Sequence, residues 1–256
     1  MGIIQSEKFP GIKVEMINSP SEQTWLWVKE CTLNTVGKKL KSSTNSVDFE
    51  WKKKLLSCEH SPIRELWFGF RLTIPYWVSV HLVRHHVGVN HYVQTQRNDR
   101  QTKYDRSLAP QGETVSHIIS LNAQALMQLA HKRLCLQASP ETREVVKLMC
   151  NEVIKQYPEF KELLVPLCIY RNGKCTEMFP CGKFKWSKPN ITRVSVNPEL
   201  TSEEEQEIRK AIKDNDGYCP CAISKTDETL CMCKEFRDME EGKCHCGLYV
   251  KTHVKD

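Results

Sequence analysis

No run of apolar residues in this chain approaches the roughly 20 that a helix needs to cross a bilayer, which excludes a helical membrane-spanning protein. The first residues, MGIIQSEKFPGIKVEMI, show no basic start followed by a continuous apolar segment, so a soluble cytoplasmic protein with no membrane partner is expected. A nucleic-acid reader motif is also missing: lysines and arginines are not interleaved in the manner of one, and no recognition helix stands out. Acids are scarce where bases gather. Between Ser79 and Arg106 only Asp99 and Asp105 stand against Arg84, His85, His86, His91, Arg97, Arg100, Lys103 and Arg106. Such a stretch suits an anionic or planar polar ligand better than a core.

With 256 residues and 40% hydrophobic content, the chain can bury a sizeable core and is expected to form one main domain and a smaller one. Its net charge of +6 is unevenly placed: from Thr201 to Asp256 there are 13 acids and 9 bases, leaving 28 bases and 18 acids in the first 200 residues. A basic body with an acidic tail favours anionic ligands for the body, and a nucleotide or folate polyglutamate fits as well as nucleic acid. Thirteen cysteines, six of them in Cys-x-Cys pairs near the end, point to metal or redox chemistry in a reducing compartment.

Periodicity places the elements. Ile12, Val14 and Met16 alternate with polar residues and predict an edge strand, while Ser21 to Cys31 and Asp48 to Ser57 read as helices. Leu66 to Ile74 (LWFGFRLTI) predicts a strand, after which Pro75 opens a helix carrying Trp77, Val78, Val80, Leu82 and Val83. Arg84, His85 and His86 then fall at that helix's end, where unpaired carbonyls favour cations. From about Val115 a long helix is expected, with Asn122, Leu126, Leu129 and Arg133 on one face at i, i+4, i+7 and i+11. Ser139-Pro140-Glu141 starts another helix, running to about Tyr157. Ser202 with Glu205 predicts a capping box for a charged helix ending near Lys213. Cys168, Cys175 and Cys181 have six and five residues between them, outside the usual zinc pattern even with Cys150 or a histidine added, and are expected to be free buried thiols.

Arg84-His85-His86 within HLVRHH, preceded by HSPIREL from His60 to Leu66, resembles the signature region of the flavin-dependent thymidylate synthases. In that family an Arg-His-Arg triplet follows a strand and helix, and a Ser-Pro or Thr-Pro pair lies upstream, where Ser61-Pro62 stands here. Asn122-Ala123-Gln124 leading to Arg133 resembles the family's Asn-Ala-Arg helix, and Ala138 to Arg143 the segment after it. The resemblance spans roughly residues 50 to 185. It implies an α+β fold and a homotetramer with flavin sites between subunits. It also implies methylation of dUMP to dTMP with methylenetetrahydrofolate, FAD, and NADPH or ferredoxin as reductant. Carried over, Ser61, Arg84, His85, His86, Asn122 and Gln124 would contact the flavin, and Gln94, Arg97 and Arg133 the nucleotide. Four positions depart from the family: His86 and Gln124 replace arginines, Gln94 replaces a serine and Tyr92 an acid. The lost guanidinium groups bear on phosphate and nucleotide contacts, where arginine is not replaced harmlessly.

The tail carries the most specific pattern. Cys219-Pro220-Cys221, Cys231-Met232-Cys233 and Cys244-His245-Cys246 place six cysteines within 28 residues, after a Pro-containing linker from Asn197 to Ser202. This resembles the catalytic subunit of ferredoxin:thioredoxin reductase. The resemblance implies that Cys219, Cys231, Cys233 and Cys244 ligate a 4Fe-4S cluster, that Cys221 and Cys246 form a redox disulfide, and that His245 assists proton transfer. Zinc accepts the same thiolates and is the alternative metal. The nine residues between Cys221 and Cys231 are fewer than in that family, which bears on the surface offered to a ferredoxin or thioredoxin-like electron partner.

The expected division is therefore a flavin-enzyme-like domain over residues 1–196 and a Cys-x-Cys module over 197–256. Three functions follow in order: a divergent thymidylate synthase with a fused redox module, a ferredoxin-linked thiol-disulfide reductase on an inactive scaffold, and a zinc-stabilised nucleic-acid or nucleotide-binding protein.

Overall fold

Phe68, Phe70, Leu72 and Ile74 recur at every second position and are all fully buried, the period of a strand with one face on a core. The computed structural model to which they belong describes residues 2–97, 99–100, 105, 107–184 and 192–253. Lys103 and Arg106 of the basic stretch lie outside the described residues. The chain divides into two units, Met1–Ser187 and Lys188–Asp256.

In the first unit, β1 (Ile4–Gln5) and β2 (Lys13–Asn18) lead into α1 (Glu22–Asn34) and α2 (Phe49–Ser57), capped by Ser21 and Asp48. A 3-10 turn over Ser61–Glu65 then feeds β3 (Trp67–Pro75), α3 (Tyr76–Leu82) and β4 (Val89–Val93). They are followed by β5 (Thr114–Asn122), α4 (Ala123–Arg133), α5 (Pro140–Gln156) and the short α6 (Leu167–Tyr170). The sheet is antiparallel with order β1-β2-β3-β5-β4. The two-residue β1, not β2, is the outer strand on that side.

α5 lies on β2 and β3 and packs also on α3 and α4. Its Val145, Val146, Met149 and Val153 meet the sheet's apolar face, and Phe68 holds the rings of Tyr157 and Phe160 edge-on at 5.6 Å. On the other face Arg71 pairs with Glu15 at 2.8 Å. Helices on one face of an antiparallel sheet make the α+β arrangement expected.

The long helix expected from Val115 is instead a strand and then a helix. Val115, His117, Ile119 and Leu121 alternate inward along β5, and β-branched Val115, Ile118 and Ile119 favour the extended chain. Asn122 ends the strand and caps α4, its Oδ1 accepting the Ala125 N–H at 2.9 Å.

In the second unit, β6 (Thr192–Val196), α7 (Ser202–Asp214), α8 (Lys234–Asp238), β7 (Gly242–Lys243) and β8 (Tyr249–His253) surround a small core of Phe236, Cys244 and Leu248. Its antiparallel sheet has order β6-β8-β7, so the strand just before the expected linker pairs with the chain's last strand. The α7 cap is Thr201 rather than Ser202: Thr201 Oγ1 accepts the Glu204 N–H at 3.3 Å, and Glu204 accepts the Thr201 N–H at 2.8 Å. Thr201 holds extended backbone dihedrals, which the N-cap requires.

Candidate active site

α3 ends at Leu82, with Val83 as its C-cap, and the chain turns through Arg84, His85 and His86 into β4. Two features fix that turn. Gly88 adopts φ +71°, and a Cβ there would stand 2.6 Å from the Asn122 amide nitrogen, so glycine permits both the backbone and the approach. Asn122 N–H in turn donates to the Gly88 carbonyl at 3.0 Å, tying the turn to the start of α4.

The second feature is a histidine chain. His91 Nε2 donates to the His85 carbonyl at 2.7 Å, which leaves His91 Nδ1 as an acceptor for His117 Nε2–H at 3.0 Å. His117 is fully buried, and its remaining nitrogen, Nδ1, has no partner among the described residues. Burial and then His91 push its pKa down to about 4, so the ring stays neutral near pH 7.

From the far end of α4, Arg133 reaches back to the same turn. Its Nε donates to His85 Nε2 at 2.9 Å and its Nη2 to the His81 carbonyl at 3.0 Å. His85 therefore accepts through Nε2 and carries its proton on Nδ1. Burial first, then the Arg133 charge, with His91, His86 and Lys132 adding, brings its pKa down to about 4. Arg84 is exposed and makes no ion pair among the described residues. Lys132 and Arg133 stand in the last turn of α4, where cations suit the helix dipole, while burial lowers the pKa of His131 beside them.

Two clefts open beside the turn. One of about 250 Å³ is lined by His85, Lys132, Arg133, Cys135, Gln137 and Glu177. The other, about 200 Å³, has Arg84 and His86 against Val87, Val89, Ala125 and Gln128. The remaining expected residues lie elsewhere on the unit. Ser61 is exposed at the start of the 3-10 turn, and the Gln124 carboxamide accepts from Arg64 of the same turn at 2.6 Å. Gln94 exchanges hydrogen bonds with the Ser116 backbone, and Arg97 forms a two-point pair with Asp99 at 2.7 and 2.9 Å. Both line a third cleft, about 260 Å³, with Tyr76, Ser79, Val83 and Thr95. Sequence reasoning missed His117, whose signal was a lone histidine at an inward position of an alternating strand, and Lys132, hidden as one base in a helix end.

In the second unit the six paired cysteines share one neighbourhood. Cys244 and Cys246 place their sulfurs 3.5 Å apart, and the Tyr249 N–H donates to Cys244 Sγ at 3.1 Å. Burial leads in raising the Cys221 thiol, with Cys219, Cys244 and Cys233 adding; for Cys231 burial again leads, followed by Cys219, Cys244 and Cys233. Cys246 is pushed up to about 12 by burial, with Cys244 and Cys219 adding. All six are free thiols, and among the described residues no three side chains stand in ligating geometry for a metal ion. A cavity of about 490 Å³ adjoins Cys219, Cys221, Cys233 and His245, with Glu228 and Lys234 on its wall.

Residues 101–159 match the family model described as thymidylate synthase complementing protein. That stretch holds Asn122, Gln124 and Arg133 and stops short of the Arg84–His86 turn. No curated protein matches the chain by sequence. Among solved structures, the UMP/dUMP methylase PolB from Streptomyces cacaoi bound with 5-Br dUMP aligns over 60% of this chain and 97% of its own, with a TM-score of 0.44 and 16% identity. The same methylase bound with 5-Br UMP aligns over 60% and 96%, with a TM-score of 0.43 and 15% identity.

Proposed function

We propose that the first unit is a divergent flavin-dependent thymidylate synthase, methylating dUMP with methylenetetrahydrofolate and reduced FAD. The observation that carries this reading is the Arg133–His85 hydrogen bond, 2.9 Å across 48 residues of sequence. It joins a residue inside the matched family segment to a triplet outside it that resembles the same family's signature.

The residues suit a flavin nucleotide in part. Arg84, His86 and Lys132 offer positive or polar groups for phosphate, and Val87, Val89 and Ala125 offer an apolar wall. Each cleft is smaller than the roughly 300–1,000 Å³ of pockets that bury a small ligand, so a second copy supplies the rest in the homotetramer proposed. When bound, the flavin supplies the hydride that completes the methyl group. Neutral His85 presents its Nδ1–H as a donor, and Arg133 is held in place by the His81 carbonyl. With His86 and Gln124 in place of arginines, the anion is held by fewer guanidinium groups, and Arg84, Lys132 and Arg133 carry that task. The protein is to be purified, tested for bound FAD, and assayed for dTMP by mass spectrometry with NADPH as reductant. FAD together with dTMP formation supports the reading; a flavin-free protein that neither takes up FAD nor forms dTMP overturns it.

A second reading concerns the tail, because six thiols share one neighbourhood and three of them, Cys219, Cys221 and Cys233, line a cavity of about 490 Å³. Thiolates alone suit an iron–sulfur cluster or zinc. In this reading Cys219, Cys231, Cys233 and Cys244 hold a 4Fe-4S cluster, Cys221 and Cys246 form the redox pair, and His245 assists proton transfer. Electrons would arrive from a ferredoxin-like partner and serve the flavin or a thioredoxin-like disulfide. Anaerobic purification with iron and zinc analysis separates the choices: iron and sulfide support the redox module, and zinc alone overturns it. Full dUMP methylation with a ferredoxin donor after serine replaces all six cysteines would overturn the electron route to the flavin.

A further inference from the structure

Four other cysteines converge in the first unit. Cys135 follows the C-terminal end of α4, Cys168 lies in α6, and Cys175 and Cys181 lie in the irregular segment after it. All four line one small cavity of about 20 Å³, with Leu167, Thr176 and Glu177. A space near one water-sized probe admits a single ion and nothing larger. We propose that Cys135, Cys168, Cys175 and Cys181 form a structural Zn2+ site, independent of the cysteine pairs of the tail.

Three observations lead there. The first is composition: four soft sulfur donors surround one cavity, the donor set that zinc takes in closed structural sites. Cys150, the partner that spacing suggested, is not among them, being fully buried within α5; the fourth thiol comes from Cys135, 33 positions before Cys168 in the chain. No sequence spacing could have found it.

The second is the segment itself. From Arg171 to Phe184 the chain has no helix or extended strand, and its turns are held by short-range bonds such as Gly173 N–H to the Cys168 carbonyl at 2.7 Å. Gln137 donates to the Phe179 carbonyl at 2.6 Å, while Met178 and Phe179 lie exposed. A structureless stretch of this length inside a compact unit needs a fastening, and a metal centre supplies one.

The third is charge. Each thiol gives up its proton to solvent as its Zn–S bond forms, leaving a site with four thiolates and one Zn2+ doubly negative. Lys132 stands 3.2 Å from Glu177 on the cavity wall, and Arg171 and Lys174 belong to the same segment. The sulfurs as they stand are not in ligating geometry. Binding of the ion would therefore draw the four side chains inward from their present positions.

Cys135 and Glu177 also line the cleft of about 250 Å³ that holds His85 and Arg133. The zinc would thus brace the wall of that cleft from behind.

The test uses the full chain, stripped with a chelator and then either reloaded with Zn2+ or left bare. Both forms are treated with N-ethylmaleimide, and each cysteine is read separately by peptide mass spectrometry, so the tail cannot mask the body. Zn2+ is expected to slow alkylation of Cys135, Cys168, Cys175 and Cys181 together by at least about tenfold, while exposed Cys58 reacts alike in both. Equal rates with and without Zn2+, or a disulfide joining two of the four, overturn the proposal. Cys181 is exposed, so Cys181→Ser is expected to fold and to remove the protection of the other three. Protection that persists in that variant overturns the four-thiol site.

Discussion

The Arg133 guanidinium spends two of its donors on His85 Nε2 and the His81 carbonyl, so one residue holds both the end of α3 and the turn that follows. Its charge is also the second cause, after burial, of the low pKa of His85. In Arg133→Met the histidine should therefore titrate above its value of about 4, yet below 6.5 because burial remains. Nitrogen-15 NMR of the imidazoles reads this directly, and an unchanged value would show that the guanidinium does not act on His85. At Gly88 the constraint is steric. Gly88→Ala must carry a positive φ and a Cβ into the Asn122 amide, and should destabilise the first unit by about 1–3 kcal/mol in urea unfolding. A midpoint unchanged from the parent chain would mean the turn can relax elsewhere.

Among the elements, those with a local cause were legible. Ser139-Pro140 starting α5, the aromatic strand before Pro75 and the helix after it all follow from short-range rules, and the structure has them at the expected places. The segment from Val115 misled because an alternating strand runs into an amphipathic helix without a turn, with Asn122 serving both. For the candidate site, residue types could be read from the sequence but partners could not: His85 meets Arg133, and His91 meets His117, only through the order of β3, β5 and β4. At α7 the one-residue difference in cap position gives a clean test. Thr201→Ala should cost about 1 kcal/mol of local stability, roughly a fivefold faster exchange at the Glu204 amide, while Ser202→Ala should leave it unchanged. The reverse result by hydrogen-exchange NMR would restore the capping box to Ser202.

At the scale of the whole first unit, buried His117 and half-buried His85, both neutral near pH 7, couple folding to pH. His85 and His117 have pKa values of about 4 in the fold against 6.5 as the ordinary value. Between these limits the unfolded chain binds more protons, so acid favours unfolding. Stability is therefore complete above about pH 6.5 and lost progressively as the pH falls towards 4. Calorimetry should show the melting temperature of the first unit falling through this window, with a shallower fall in His117→Leu; equal slopes would remove His117 from the account. The same histidines set a limit on how this protein's lineage can drift. His91 reaches the His85 carbonyl from within β4, so the turn is geared to the pleat of the sheet. Solvent-facing Asn90 is open to exchange, but one residue gained or lost between Val89 and His91 would swing the imidazole to the opposite face. Length, more than identity, is what inheritance must preserve there.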